Sequence, residues 1–331
     1  MRRNRKKIII ISACAAAVIA FIFIFMKFLN GNFIYFSAGF FDKSMIKTGG
    51  QKADRMEVMI LMSDTKKEYE KLFGSDAWSQ TVDDVNFDDY AKEQVKSKLS
   101  RILCMNNYAK EKGVALSRSQ KDGIDDAVDS FYGSLNEQQI KEFGVTKDKL
   151  KDMFTKFAVA QTIYNDMTDS LEIEVSSDEA RVIAIQYICA DSEEAIKAAK
   201  ERVDNGEIFY VVAKEINGDE YECQLERGVM DKAFEDAAFD LRSGETSGIV
   251  EANGKYYIIK CNSDNEKSKT EANKVVLTEK KRLDAFNEQF EKYEADQYVE
   301  VNKRAWKKLR TAEVNVLPVN FEEVYNQYLK Q

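Results

Sequence analysis

The pattern of apolar and polar positions divides the chain into three stretches. Ile8 to Met26 is an unbroken uncharged run. At 1.5 Å per helical residue it nearly spans the ~30 Å apolar layer of a bilayer. Asn30-Gly31-Asn32 ends it, Phe33 to Phe41 is aromatic, and Gly49-Gly50 marks a turn. From there to about residue 172 apolar positions recur at helical spacing. Met56, Met59, Ile60, Tyr69, Leu72 and Phe73 give a helix ended by Gly74. Asn86, with Asp88 and Asp89 behind it, is an N-cap for a helix carrying Phe87, Ala91, Val95, Leu99, Ile102 and Ala109, stopped by Gly113. Ser117-Arg118-Ser119-Gln120 has capping-box spacing and opens a helix with Ile124, Ala127, Val128 and Phe131 inward. Another starts near Thr146 and presents Leu150, Met153, Phe154, Phe157, Ala160, Tyr164 and Met167.

The pattern then changes. Arg181 to Cys189 and Lys255 to Cys261 are β-rich apolar runs. Between them lie helical stretches at Ser192–Val203 and Phe209–Ile216, and the phrase Gly228-Val229-Met230-Asp231-Lys232-Ala233-Phe234. Past a polar segment (Asn262 to Lys269), Val276, Leu283, Phe286, Phe290 and Tyr293 return to helical spacing. Val314 to Leu317, before Pro318, reads as either a short strand or an extended strap.

Charge adds orientation. Five of the first seven residues are basic (Arg2, Arg3, Arg5, Lys6, Lys7), so a net charge of −8 leaves −13 on the rest. Basic residues ahead of an apolar run keep the N-terminus cytoplasmic and put the remainder of the chain on the far side. Residues 8–26 read as an uncleaved anchor, as a cleaved signal segment, or, around Ile11-Ser12-Ala13-Cys14, as a lipidation site at Cys14. The acidic body argues against nucleic-acid binding. The chain has no His, which excludes His-based triads and His-ligated metals. Its five cysteines form no C-x-x-C pair; most read as small buried groups, and a bridge among Cys189, Cys223 and Cys261 stays open. The pairs Asp83-Asp84, Asp88-Asp89 and Asp125-Asp126 lack calcium-loop spacing. No Gly-rich phosphate loop or metal-spaced cluster implies a cofactor.

The order of pieces from Arg181 to Cys261 resembles a parvulin-type peptidyl-prolyl isomerase domain. Leu241-Arg242-Ser243-Gly244-Glu245-Thr246-Ser247 resembles that family's Leu-x-x-Gly-Glu-(apolar)-Ser turn, and Tyr257-Ile258-Ile259 its His-Ile-Ile strand. Tyr108 to Ser117 resembles a junction in the helical domain of SurA-type and PrsA-type foldases. The resemblance implies an α+β chain divided as an anchor or signal (1–30), a linker (31–49), a helical chaperone-like domain (50–172), a parvulin-like domain (178–264) and a C-terminal helical segment (265–331) that folds back on the helical domain. It implies unfolded or Pro-containing secreted polypeptides as partners, bound partly by adaptable surface. Met56, Met59, Met62, Met105, Met153 and Met167 are either that surface or core.

For the site, the resemblance implies Met230 and Phe234 as the pair gripping the Pro ring, and Asp219 near the amide. The family's two floor His map to Gln186 and Tyr257. Rotation about an X-Pro amide needs no nucleophile or metal, only an apolar grip and polar groups that favour the twisted amide. Gln and Tyr can both hydrogen-bond. The chain then has three readings: a membrane-anchored isomerase and chaperone, the same fold with chaperone binding alone, or a surface-anchored binding protein.

Overall fold

The computed structural model describes residues 33–37, 44–82 and 85–329. The expected anchor over 8–26, Cys14 and Asp83-Asp84 lie outside them. Among the described residues no helix is long and apolar enough to cross a membrane.

In chain order the first elements are β1 (Ile34–Ser37), β2 (Ser44–Thr48), β3 (Gln51–Asp54), α1 (Arg55–Phe73), β4 (Thr81–Val82), β5 (Val85–Asn86), α2 (Phe87–Lys112), α3 (Arg118–Gly133), α4 (Glu137–Phe143) and α5 (Lys147–Thr168). Then come β6 (Ile183–Ala190), α6 (Glu193–Asp204), α7 (Phe209–Asn217), β7 (Glu222–Leu225), α8 (Lys232–Asp240), β8 (Val250–Ala252) and β9 (Lys255–Ser263). The chain closes with α9 (Lys267–Glu294), β10 (Tyr298–Val301), α10 (Lys303–Trp306) and α11 (Phe321–Leu329). The described residues form two compact units: one is Glu172–Arg282, and the other joins residues 33–171 with residues 283–329. The fold class is α+β, mostly helical in the second unit.

Local chemistry sets the helix ends where the sequence put them. Asn86 accepts from Asp88 N at 3.0 Å, and Ser117 and Gln120 close a reciprocal capping box. Asp54 and Glu57 do the same for α1. Gly113 stops α2 in the left-handed region, at φ 69°. Short α4, capped by Asn136, is an element the periodicity did not reveal.

The stretch expected as linker carries strands. β1 pairs in parallel with β10, and β10 pairs antiparallel with β2, giving the sheet order β1-β10-β2-β3. A strand whose partner lies at the other end of the chain leaves no local sign beyond an apolar run. The β2–β3 turn needs Gly49: its φ is 54°, and a Cβ there would sit 2.5 Å from the Asn107 carboxamide, which donates to Thr48 O at 2.8 Å.

The methionines are not client-binding surface. Met56, Met59, Met62, Met105 and Met153 are all at most 5% exposed and Met167 is half-buried. They fill gaps between α1, α2 and α5, the ordinary use of a flexible thioether side chain. The apolar groups this unit leaves in solvent include Phe73, Val85 and the edge-to-face pair Phe36–Tyr298.

The second half of α9 packs within the helical unit. Phe286 and Phe290 are fully buried, against Tyr164 and Tyr108 respectively. Between the two rings and Glu294 lies Arg101, whose Nε is 3.0 Å from Glu294 Oε1; both side chains are 1% exposed. Arg101 also donates to Asn287 Oδ1 at 2.7 Å. The tail is a strap rather than a strand: Leu317 N donates to Ser63 Oγ, Phe321 N to Asp64 Oδ2, and Ala312 N to Asp88 Oδ1.

Removing one partner of a buried ion pair strands the other charge. Glu294→Ala should therefore lower unfolding free energy by about 3–5 kcal/mol in urea titration. Arg101→Leu with Glu294→Leu together should cost less than Glu294→Ala alone. A single-variant loss below about 1 kcal/mol, the surface-pair range, would contradict the assignment.

Candidate active site

The unit Glu172–Arg282 is built on an antiparallel sheet of order β7-β6-β9-β8. Successive side chains of a strand point to opposite faces. On one face Ile188 and Ile258 pack with Ile196 and Ala199 of α6 and Phe209, Val212 and Ala213 of α7. On the other, Ile183, Ile185 and Ile259 pack with Phe234, Ala238 and Phe239 of α8.

The strand repeat decides which predicted residues meet. Tyr257 stands on the α8 face, its ring 5.0 Å from that of Phe234 and nearly perpendicular to it, at 80°. Gln186 does not join them. It pairs with Glu222 and Lys260, and the Lys260 ammonium lies over Phe209 on the α7 side. Its carboxamide reaches only Glu222, at 3.5 Å. The next residue, Tyr187, holds the position expected for Gln186: its ring is 6.2 Å from Phe234 at 84° and 6.4 Å from Tyr257. Tyr187 and Tyr257 thus share the Phe234 face, and Gln186, one residue out of phase, lies on the opposite one.

Phe234 is fully buried and is the surface on which the two phenols rest. It does not reach solvent itself. Met230 does, at 39% exposure, with Val229 beside it at 60%. Three bonds to one carboxylate hold this turn. Glu235, 8% exposed, accepts from Gly228 N at 2.9 Å, Val229 N at 2.7 Å and Met230 N at 2.7 Å. Gly228 adopts φ 83°, which a side chain would strain. Asp231 then caps α8 through Ala233 N, so the turn leads directly into the helix that carries Phe234.

Asp219 is not part of this group. It lies in the turn after α7 with its side chain 95% exposed, 3.8 Å from Lys214. The loop carboxylate that acts on Tyr187 electrostatically is its neighbour Glu220. Asn217, which no sequence motif marks, ties this loop to β6: it accepts from Cys189 N and donates to Tyr187 O and Glu220 O, each at 3.1 Å.

The site is neutral at its floor. Burial pushes the Tyr187 hydroxyl up to about 12. Burial also raises Tyr257 to about 12, helped by a hydrogen bond with the Cys189 thiol. Burial takes the Cys223 thiol to about 11. Near neutral pH the floor therefore offers two protonated phenols as hydrogen-bond donors. The four described cysteines are free thiols.

The Leu241–Ser247 phrase fastens the loop onto β9. Gly244 N donates to Cys261 O, Cys261 N to Glu245 O, and Ile259 N to Ser247 Oγ at 2.9 Å. Glu245 folds back to accept from Arg242 N.

The sequence of this unit is similar to that of known proteins. Residues 179–263 match the family model described as Rotamase, PPIC-type PPIase domain. Over 245 residues the chain is 24% identical to Foldase protein PrsA of Clostridium acetobutylicum, covering 64% of this chain and 72% of that one. It is 25% identical over 321 residues to Foldase protein PrsA of Clostridium botulinum strain Langeland, covering 83% and 89%. Among solved structures, Peptidylprolyl Isomerase (PrsA) from Bacillus cereus is 17% identical at a TM-score of 0.37, covering 86% of this chain and 98% of that one. The chain carries a parvulin-type rotamase domain, of the peptidyl-prolyl cis-trans isomerase class, beside a helical unit.

Glu235→Ala should free the Gly228–Met230 turn, since hydrogen bonds to a charged group contribute about 1.5–3 kcal/mol each. Hydrogen exchange at the amides of Val229 and Met230 should rise by at least about tenfold, while the amides of α6 hold. Unchanged exchange at the turn would refute this role for Glu235.

Proposed function

We propose that this chain is an extracytoplasmic foldase held at a membrane by residues 8–26. Its rotamase domain turns X-Pro bonds in unfolded secreted polypeptides, and its helical unit holds the client chain. The observation that supports the reading is the packing of Tyr187 and Tyr257 on buried Phe234, at the start of whose helix the exposed Met230 turn is fastened. The names of the foldase relatives support the chaperone half.

The chemistry asked of such a site is modest. The barrier to amide rotation is ~18–20 kcal/mol, set by resonance. It falls when the twisted amide, with its electrons localised, binds better than the planar one. Met230 and Val229 offer an apolar, exposed edge for the Pro ring. The neutral phenols supply donors for the localised lone pair or the carbonyl oxygen. Phe234 keeps both phenols upright instead of touching the ring. Gln186 and Asp219 have no part in this scheme.

A second reading, client binding without turnover, is favoured by one feature. The imidazole pair of the family is replaced by phenols, and Phe234 is closed to solvent. Turnover of a Pro-containing tetrapeptide by the full chain in detergent decides between the two. The proposal expects acceleration over the uncatalysed exchange, which takes tens to hundreds of seconds. Met230→Ala should raise KM, and Tyr187→Phe with Tyr257→Phe should lower kcat/KM by about tenfold or more. No acceleration at micromolar protein, with aggregation of an unfolded client still suppressed, would establish the second reading.

The pH profile is a separate check. The folded-state phenols titrate near 12, so both stay protonated from about pH 6 to about pH 9. The kcat/KM should be flat across that range. A bell or a step centred near neutral pH, as a titrating floor group would give, would contradict a phenol floor.

A further inference from the structure

The helical unit contains a cavity that the isomerase reading does not use. It has a volume of about 420 Å³ and is lined by Met45, Arg55, Asn302, Arg304, Ala305, Lys308 and Leu309. Met45 and Leu309 are buried and form an apolar floor, at 2% and 7% exposure. Arg55, Arg304 and Lys308 are exposed cations. Among the described residues none of the three forms an ion pair, and the nearest groups that could neutralise them are engaged elsewhere. Asp54, next to Arg55, is taken by Lys149 at 2.8 Å and by the α1 cap. Arg310, two residues beyond Lys308, is held by Asp88 and Asp89.

The sequence around the cavity runs against the rest of the chain. Lys303-Arg304-Ala305-Trp306-Lys307-Lys308-Leu309-Arg310 holds five cations and no acid, in a chain whose net charge is −8. Trp306 and Leu309 are buried there, so the run is fixed by its apolar residues and its charges face outward. Three cations around one hollow, with no ion-pair partner among the described residues, repel each other, and an anion placed between them relieves that repulsion. Two are guanidinium forks, which match planar or tetrahedral oxyanions through paired N–H groups. Asn302 is neutral, and its Oδ1 already accepts from Ala305 N at 3.1 Å.

We propose that this cavity binds a phosphate-bearing small molecule, its oxyanion held by Arg55, Arg304 and Lys308 and its organic part lying on Met45, Ala305 and Leu309. Three positive groups suit a phosphate better than a single carboxylate, and the apolar floor gives an ester's carbon skeleton a seat. A free phosphate and a lipid headgroup share this chemistry.

Calorimetric titration of the full chain, in nonionic detergent at fixed ionic strength, tests it with two probes. Inorganic phosphate stands for the free anion and glycerophosphoglycerol for a diester headgroup. At least one should bind saturably, one per chain. Tighter binding of phosphate identifies a free-anion site, and tighter binding of the diester a headgroup site. Arg55→Gln with Arg304→Gln should weaken binding by more than about tenfold, the loss expected for two charge-assisted contacts. Lys303→Gln with Lys307→Gln removes the same charge from side chains outside the cavity, and should leave affinity within about twofold. If the first double variant fails to fold, Lys308→Gln replaces it and should show the same direction. No saturable binding of either probe, or equal weakening in the Lys303 and Lys307 variant, would overturn the proposal.

Discussion

Everything proposed for the rotamase domain depends on one packing arrangement. Phe234 sits fully buried under the edges of Tyr187 and Tyr257, with ring planes near perpendicular to both. Edge-to-face contact of this kind is favoured by the ring quadrupole. It also fixes where each hydroxyl points, because a ring held on one side by Phe234 and on the other by the sheet has little freedom. A phenol is protonated near neutral pH in any case, and burial moves its titration further up, to about 12.

A second requirement is that the apolar edge be held near the phenols. Here a single buried carboxylate serves a three-residue turn. Glu235 takes three successive backbone N–H groups that would otherwise be left to water. Elsewhere in the unit, Ser247 and Glu245 stitch the loop to β9. The motif that makes this stretch recognisable is thus structural: its residues position the strand that carries Tyr257.

How legible this was in the sequence depends on how local each signal is. Caps and stops were readable, because Asn86, Ser117, Thr146 and Gly113 act on backbone groups a few residues away. The buried faces of α1, α2, α3 and α5 were readable from their period. Met230 and Phe234 were singled out through a contiguous phrase, and the structure leaves Met230 open to solvent and buries Phe234. The errors are of two kinds. In a strand a shift of one residue reverses the face, so the choice of Gln186 over Tyr187 sent a floor residue through the sheet. The Asp219 loop has no such period, and Asn217, which ties the loop's backbone to β6, belongs to no motif the sequence displays. Long-range pairing was invisible: β1 and β10 lie at opposite ends of the chain, so residues 31–49 looked like linker. The methionines could not be assigned at all, since Met is equally at home in a core and on an adaptable surface.

The helical unit is tied together by buried polar groups as much as by apolar ones, with Arg101–Glu294 at one end and Asp64, Asp88 and Ser63 receiving the tail at the other. The rotamase domain instead stands or falls with its phenol floor. Backbone and side-chain NMR of the full chain in detergent, titrated with a Pro-containing peptide, probes that floor without relying on turnover. A phenol floor predicts saturable shifts centred on Tyr187, Tyr257, Val229 and the Met230 methyl, with Gln186 and Asp219 little changed. Shifts centred instead on Gln186 and α7, or none within Glu172–Arg282, would contradict it.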